Sequence, residues 1–124
     1  MSITRIHVGP RMSGIVIHGN SVHLSGMTTA KREGRSVAEQ TGDILKRIDE
    51  LLADAGTSKE YLVQVNIWLS DITTFNEMNE VWDKWVVPGC TPARATVESR
   101  LALPDIKVEI QVMAALPVSA QLAQ

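Results

Sequence analysis

The sequence predicts an α+β fold: one β-sheet with two amphipathic helices packed on one of its faces. Three observations carry this. A hairpin pattern runs from Ser13 to Gly26, helical periodicity governs two separate stretches, and two further stretches alternate strictly between apolar and polar residues.

In the hairpin, β-branched residues flank Gly19-Asn20, a dipeptide suited to a two-residue turn that needs positive φ. Such a turn places His18 opposite Ser21 and Val16 opposite His23. Ile15, Ile17, Val22 and Leu24 then make a core face, and Val16, His18, Ser21 and His23 a mostly polar one. A further short strand fits Ile3 to Val8, and Thr28 to Arg35 reads as a charged loop.

From Ser36 the period changes to three and four, through Val37, Thr41, Ile44, Leu45, Ile48, Leu51, Leu52 and Ala55. Ser36 and Glu39 form a capping-box pattern, and Gly56 is a natural stop. Tyr61 to Ser70 alternates as a strand, with Val63, Val65, Ile67 and Leu69 inward. Thr74 is placed to cap a second helix with the inner stripe Phe75, Met78, Trp82 and Trp85, broken by Pro88-Gly89. Ala93 to Ser99 is a short strand, and Leu103-Pro104-Asp105 a turn. In the last strand, Lys107 to Ala115, the residues Val108, Ile110, Val112 and Ala114 face inward.

Composition fits one domain over residues 1–117, followed by an uncharged, aperiodic tail, 118–124, expected to be mobile. The 124 residues are 44% hydrophobic and 21% charged, with 12 Lys+Arg against 14 Asp+Glu and a net charge of -2. That balance gives no global attraction to nucleic acid or anionic membranes. No apolar run approaches the ~18 residues of a membrane span, and the start lacks a signal-peptide core. One cysteine, Cys90, permits neither an internal disulfide nor a CxxC site, so a cytoplasmic, reducing setting is expected.

The sheet face without helices is expected to carry His18, His23, Gln64, Asn66, Trp68, Arg94, Thr96, Glu98, Glu109, Gln111 and Met113. This mixture suits packing against another copy, with sites at the seams. Arg94 and Glu109, on strands joined by a short turn, are expected to be near neighbours there. They read either as an exposed ion pair worth about 0.2–1 kcal/mol or as working groups. In the second case Arg94 grips a substrate carboxylate and Glu109 positions or deprotonates a water.

The stretch Thr91-Pro-Ala-Arg-Ala-Thr-Val97, followed by Leu103-Pro-Asp-Ile-Lys-Val-Glu-Ile110, resembles the C-terminal signature of the Rid (YjgF-like) family of reactive intermediate imine/enamine deaminases. Leu24-Ser-Gly26, Gln40, Ala55-Gly56, Val65 to Asp71 and Phe75 to Asn79 extend the resemblance over nearly the whole chain. It implies a chorismate-mutase-like sheet-and-two-helix fold assembled as a homotrimer with clefts between subunits. It also implies hydrolysis of 2-imino or enamine acids to 2-keto acids and ammonia, without metal or organic cofactor. By the same resemblance, Arg94 binds the substrate carboxylate, Glu109 orients the attacking water, and backbone around Gly26 contacts substrate. Two positions depart from the common pattern. Thr96 stands where many deaminating members have Cys, and Arg11 stands after Gly9-Pro10 where they often have Tyr. Thr96 can still hydrogen-bond, and Arg11 either adds an anion contact or lies on the surface.

Other candidates read as structural. His18 and His23 share a hairpin face, but no third metal ligand accompanies them at a credible spacing. Cys90 reads as a small, half-buried loop side chain, Trp82 and Trp85 as core or subunit contact, and Lys31, Arg32 and Arg35 as a solvated basic loop. GxSxG, P-loop and GxGxxG motifs are absent. Two rival functions remain open beside the deaminase. One is a non-catalytic binder of small carboxylates in the Arg94 cleft. The other is an RNA-acting protein, which the charge balance disfavours.

Overall fold

The computed structural model describes residues 2–117, so the tail expected at 118–124 lies outside the described residues. The elements are β1 (Ile3–Val8), β2 (Ser13–His18), β3 (Ser21–Leu24), α1 (Val37–Asp54), β4 (Leu62–Leu69), α2 (Phe75–Trp85), β5 (Ala93–Glu98) and β6 (Val108–Ala115). The strands form one sheet in the order β1-β2-β3-β6-β4-β5, and both helices pack on one face.

The hairpin has the expected register, His18 opposite Ser21 and Val16 opposite His23. Gly19 alone takes a positive φ of 63° in the turn, the pattern of a type II′ connection. Ser36 caps α1 through a reciprocal box: its hydroxyl accepts from Glu39 N at 3.1 Å, and its own N–H donates to Glu39 Oε1 at 3.0 Å. At the other end, Gly56 at φ 85° closes a Schellman motif, with Thr57 N donating to Leu52 O at 2.9 Å. Ile44, Leu45, Ile48, Leu51 and Leu52 of α1 then pack on Ile15, Val22, Val65, Ile67 and Ile110. Each such side chain contributes about 1.5–3 kcal/mol by leaving water.

Two expected inward residues lie elsewhere. Pairing between β4 and β6 shifts register between Leu62 and Gln64, so Leu62 turns into the core while Val63 is 46% exposed. Phe75 is 37% exposed at the start of α2, outside the stripe of Met78 and Trp82. Thr74 precedes α2 without capping it through its side chain; its hydroxyl donates back to Asp71 O at 2.6 Å.

Strand β4, helix α2 and strand β5 form a parallel crossover, with β5 at the sheet edge. A crossover helix lies over the two strands it joins. This lays α2 across one face of β4 and β5. Among the described residues no helix is long and apolar enough to cross a membrane.

Candidate functional site

Arg94 is registered with Val65 of β4, and Thr96 with Ile67. Val65 and Ile67 are core residues beneath the helices, and paired residues of neighbouring strands share a face. Arg94, Thr96 and Glu98 therefore face the helix side. The β5 residues on the open side are Ala93, Ala95 and Val97, registered with Gln64, Asn66 and Trp68. This corrects the expectation that Arg94 shares the helix-free face with Glu109. The closeness of the two is corrected as well, because β4 lies between β5 and β6. The physical reason is the crossover: β5 pairs in parallel with β4, instead of folding back on β6 as a hairpin would.

On the helix side, the Arg94 guanidinium stacks over the ring of Trp82, 5.2 Å from its centroid, with Phe75 at 5.8 Å. Burial lowers its pKa from the ordinary value, and the negative charge of Asp83 partly opposes that. Arginine stays charged under such a shift. Among the described residues no hydrogen bond or ion pair engages the guanidinium. A partly desolvated cation resting on aromatic faces, with its donor fork unpaired, is arranged to receive an anion. It opens into a cleft of about 660 Å³ between α2 and β5. Two residues along, Thr96 Oγ1 is buried without a hydrogen-bond partner.

The opposite face holds the second cluster. Met27 and Ile110 exchange backbone hydrogen bonds of 2.8 and 3.0 Å, bringing Gly26 against Glu109. A Cβ built on Gly26 would collide with Glu109 Oε2, so only glycine lets this carboxylate lie along the backbone. Ser25 N donates to Gly14 O at 3.0 Å, which sets the β1–β2 turn carrying Arg11 at the same end of the sheet. Arg11 is exposed there, and β1 is the sheet edge farthest from Arg94. Within one chain the candidate residues thus form two groups: Arg94 with Thr96, and Gly26 with Glu109 near the turn of Arg11.

His18 and His23 share the open face. Among the described residues no group of three or more His, Cys, Asp or Glu is arranged around a metal position. Cys90 is exposed rather than half-buried, in the turn made by Gly89 at φ 82°. Two arginines of the basic loop are engaged in ion pairs rather than free in solvent. Arg32 pairs with Asp105 at 3.0 Å, and Arg35 with Asp43 at 2.8 Å and Glu39 at 3.5 Å.

The Arg94 cleft has a second wall that no motif marks. Asn76, Asn79, Glu80 and Asp83 line its α2 wall. They recur at three- and four-residue steps, a polar stripe beside the apolar one, and that spacing was the available signal. Asn79 Oδ1 is buried and unpartnered.

A family model described as endoribonuclease L-PSP matches residues 3–116. The chain is 38% identical over 116 residues to the RutC family protein YoaB of Escherichia coli, covering 94% of this chain and 100% of that one. It is 32% identical over 114 residues to the chloroplastic Reactive Intermediate Deaminase A of Arabidopsis thaliana, across 88% of this chain and 60% of that protein. Among solved structures, a YjgF-family protein of Neisseria meningitidis superposes with a TM-score of 0.91 at 43% identity, over 94% of this chain and 97% of that chain. The resemblance carried by Pro92-Ala93-Arg94 and Val108-Glu109-Ile110 thus extends along the chain, and the protein belongs to the endoribonuclease L-PSP family, that of the YjgF and RutC proteins.

Proposed function

We propose that the protein hydrolyses 2-imino acids and their enamine tautomers to 2-oxo acids and ammonia, in clefts between copies arranged as a homotrimer. The observation that carries this reading is the Arg94 guanidinium, stacked on Trp82 and Phe75 with no protein anion engaged. The likeness to a protein named Reactive Intermediate Deaminase A supports the reaction class.

In this reading Arg94 takes the substrate carboxylate through its planar fork, and Thr96 hydrogen-bonds beside it. Glu109, lying along Gly26, accepts a proton from water as the water oxygen bonds to C2. Arg11, at the same end of the sheet, adds an anion contact. The carbinolamine then loses its C2–N bond, and nitrogen leaves as ammonia with the water-derived protons. Because an iminium carbon is already electrophilic, placement and proton transfer suffice, and no metal or organic cofactor enters the scheme. The two residue groups lie on opposite faces of one chain, so a common site draws Arg94 from one copy and Glu109 from another. The edge position of β5 and the helix-free face bearing Gln64, Asn66, Trp68 and Gln111 suit such packing. A cytoplasmic setting fits the lone exposed thiol.

The test is release of ammonia and 2-oxo acid from freshly generated 2-iminobutanoate or 2-iminopropanoate. Arg94→Ala is expected to abolish it, and Glu109→Gln to retain ligand binding while cutting turnover about 10²-fold, the scale of a lost general base. Binding of the 2-oxo acid without turnover by the unaltered protein would replace this reading with a carboxylate binder. Salt-sensitive RNA binding with cleavage would replace it with the activity in the family's description, which a net charge of -2 does not favour.

A further inference from the structure

We infer that the Arg94 cleft selects substrates whose side chain ends in a cationic, hydrogen-bond-donating group, through Glu80 and Asp83. The inference rests on the carboxylate anchoring proposed for Arg94 and adds the class of side chain. The cleft wall opposite Arg94 is the polar stripe of α2. Its charged groups are both carboxylates, acceptors only. Glu80 and Asp83 are exposed, and among the described residues their carboxylates form no hydrogen bond or ion pair. Asn76 and Thr91 also line the cleft and can donate or accept.

One cation against two carboxylates leaves this cleft negative, although its anchor is positive. Asp83 acts on Arg94 electrostatically, yet the two do not close into an ion pair. A ligand with a carboxylate alone would satisfy Arg94 and leave Glu80 and Asp83 without a cation. A ligand with a carboxylate at one end and a guanidinium or ammonium at the other satisfies both walls. An apolar side chain laid along this wall would displace water from the Glu80 and Asp83 carboxylates without replacing its hydrogen bonds, which costs affinity. The matching substrates are 2-imino acids of basic amino acids. Their hydrolysis follows the scheme above: water oxygen bonds to C2, the C2–N bond breaks, and ammonia leaves, while the cationic terminus is unchanged.

Two measurements test this. In the first, 2-imino acids are generated in situ from arginine and from leucine by an amino-acid oxidase, and kcat/KM is compared. In the second, calorimetry measures binding of 5-guanidino-2-oxopentanoate and 4-methyl-2-oxopentanoate. The guanidino compounds are expected to be favoured by about fivefold or more, the scale of one or two exposed ion pairs. In E80Q/D83N the preference should collapse towards one, and about 0.5 M salt should erode it in the unaltered protein. Equal or better use of the leucine-derived compounds, or a preference unchanged in E80Q/D83N, would overturn the inference. Preferential binding without turnover of either imino acid would sustain the selectivity and sink the deaminase reading. Turnover of both without preference would do the reverse, and binding of neither would remove both.

Discussion

Arg94 and Glu109 lie on opposite faces of the sheet, their strands separated by β4. Arg94 points under α2 to the rings of Trp82 and Phe75, whereas Glu109 lies along Gly26 on the helix-free side. A single chain therefore holds two half-sites rather than one site, and each half can be tested separately.

Gly26→Ala tests the Glu109 half. The new Cβ would strike Glu109 Oε2, the mobile end of a side chain, so the carboxylate swings away while the fold holds. A misplacement of about 1 Å costs catalysis on the order of 10²-fold. Steady-state kinetics are expected to show a loss of about that size, with a melting temperature within about 2 °C of the unaltered protein.

Trp82→Leu tests the other half. Removing the ring takes away a cation–π contact of about 0.5–2 kcal/mol, so KM is expected to rise about two- to thirtyfold with kcat far less affected. Because Trp82 is only 5% exposed, stability should also fall, by about 1–3 kcal/mol. Trp82→Phe keeps an aromatic face and should restore most of the KM. A kcat loss equal to the KM effect would argue against a positioning role.

Gln40 is fully buried in α1 and ties the helix to the turn before β6. Its amide nitrogen donates to Asp105 O at 3.0 Å and Arg32 O at 3.3 Å, while its oxygen accepts from Lys107 N at 3.0 Å. Gln40→Leu keeps the bulk but orphans Asp105 O and Lys107 N, while Arg32 O keeps its bond from Arg35 N at 3.3 Å. Urea titration is expected to show a loss of about 2–4 kcal/mol.

Glu39 titrates below its ordinary value of 4.5, chiefly because the Ser36 backbone N–H and then the Ser36 hydroxyl hydrogen-bond its charged form. A depressed acid stabilises the fold above its unfolded pKa, and that contribution disappears as pH falls through the folded pKa. The gap in melting temperature between the unaltered protein and Glu39→Gln should therefore be open at neutral pH and close on acidification below 4.5. A constant gap would mean that the charge of Glu39 does nothing for the cap.

Much of this arrangement was legible in the sequence because local chemistry dictates it. Gly19-Asn20 sets the hairpin register, and Ser36, Glu39 and Gly56 bound α1 at both ends. The bulge in β4 was hidden because Leu62 and Val63 are both apolar, so the alternation reads smoothly in either phase. The face of Arg94 was hidden for a different reason. The alternation of Ala93 to Glu98 separates two sets of residues without saying which lies under the helix; the parallel pairing of β5 with β4 decides that. The strand-helix-strand order of β4, α2 and β5 is visible in the sequence and, as a crossover, puts one set of β5 residues beneath α2. Pairing between strands distant in sequence then decides which set it is, and no local pattern reports it.

The central claim, one site shared by two copies, is tested most directly by mixing two disabled variants. Arg94→Ala is expected to be inactive alone, and Glu109→Gln to keep only about a hundredth of the activity. Unfolded together in equal amounts and reassembled, they should regain about a quarter of the unaltered activity, because in a closed ring one interface in four pairs an intact Arg94 with an intact Glu109. Reassembled mixtures that contain both variants in one oligomer yet stay inactive would contradict the account.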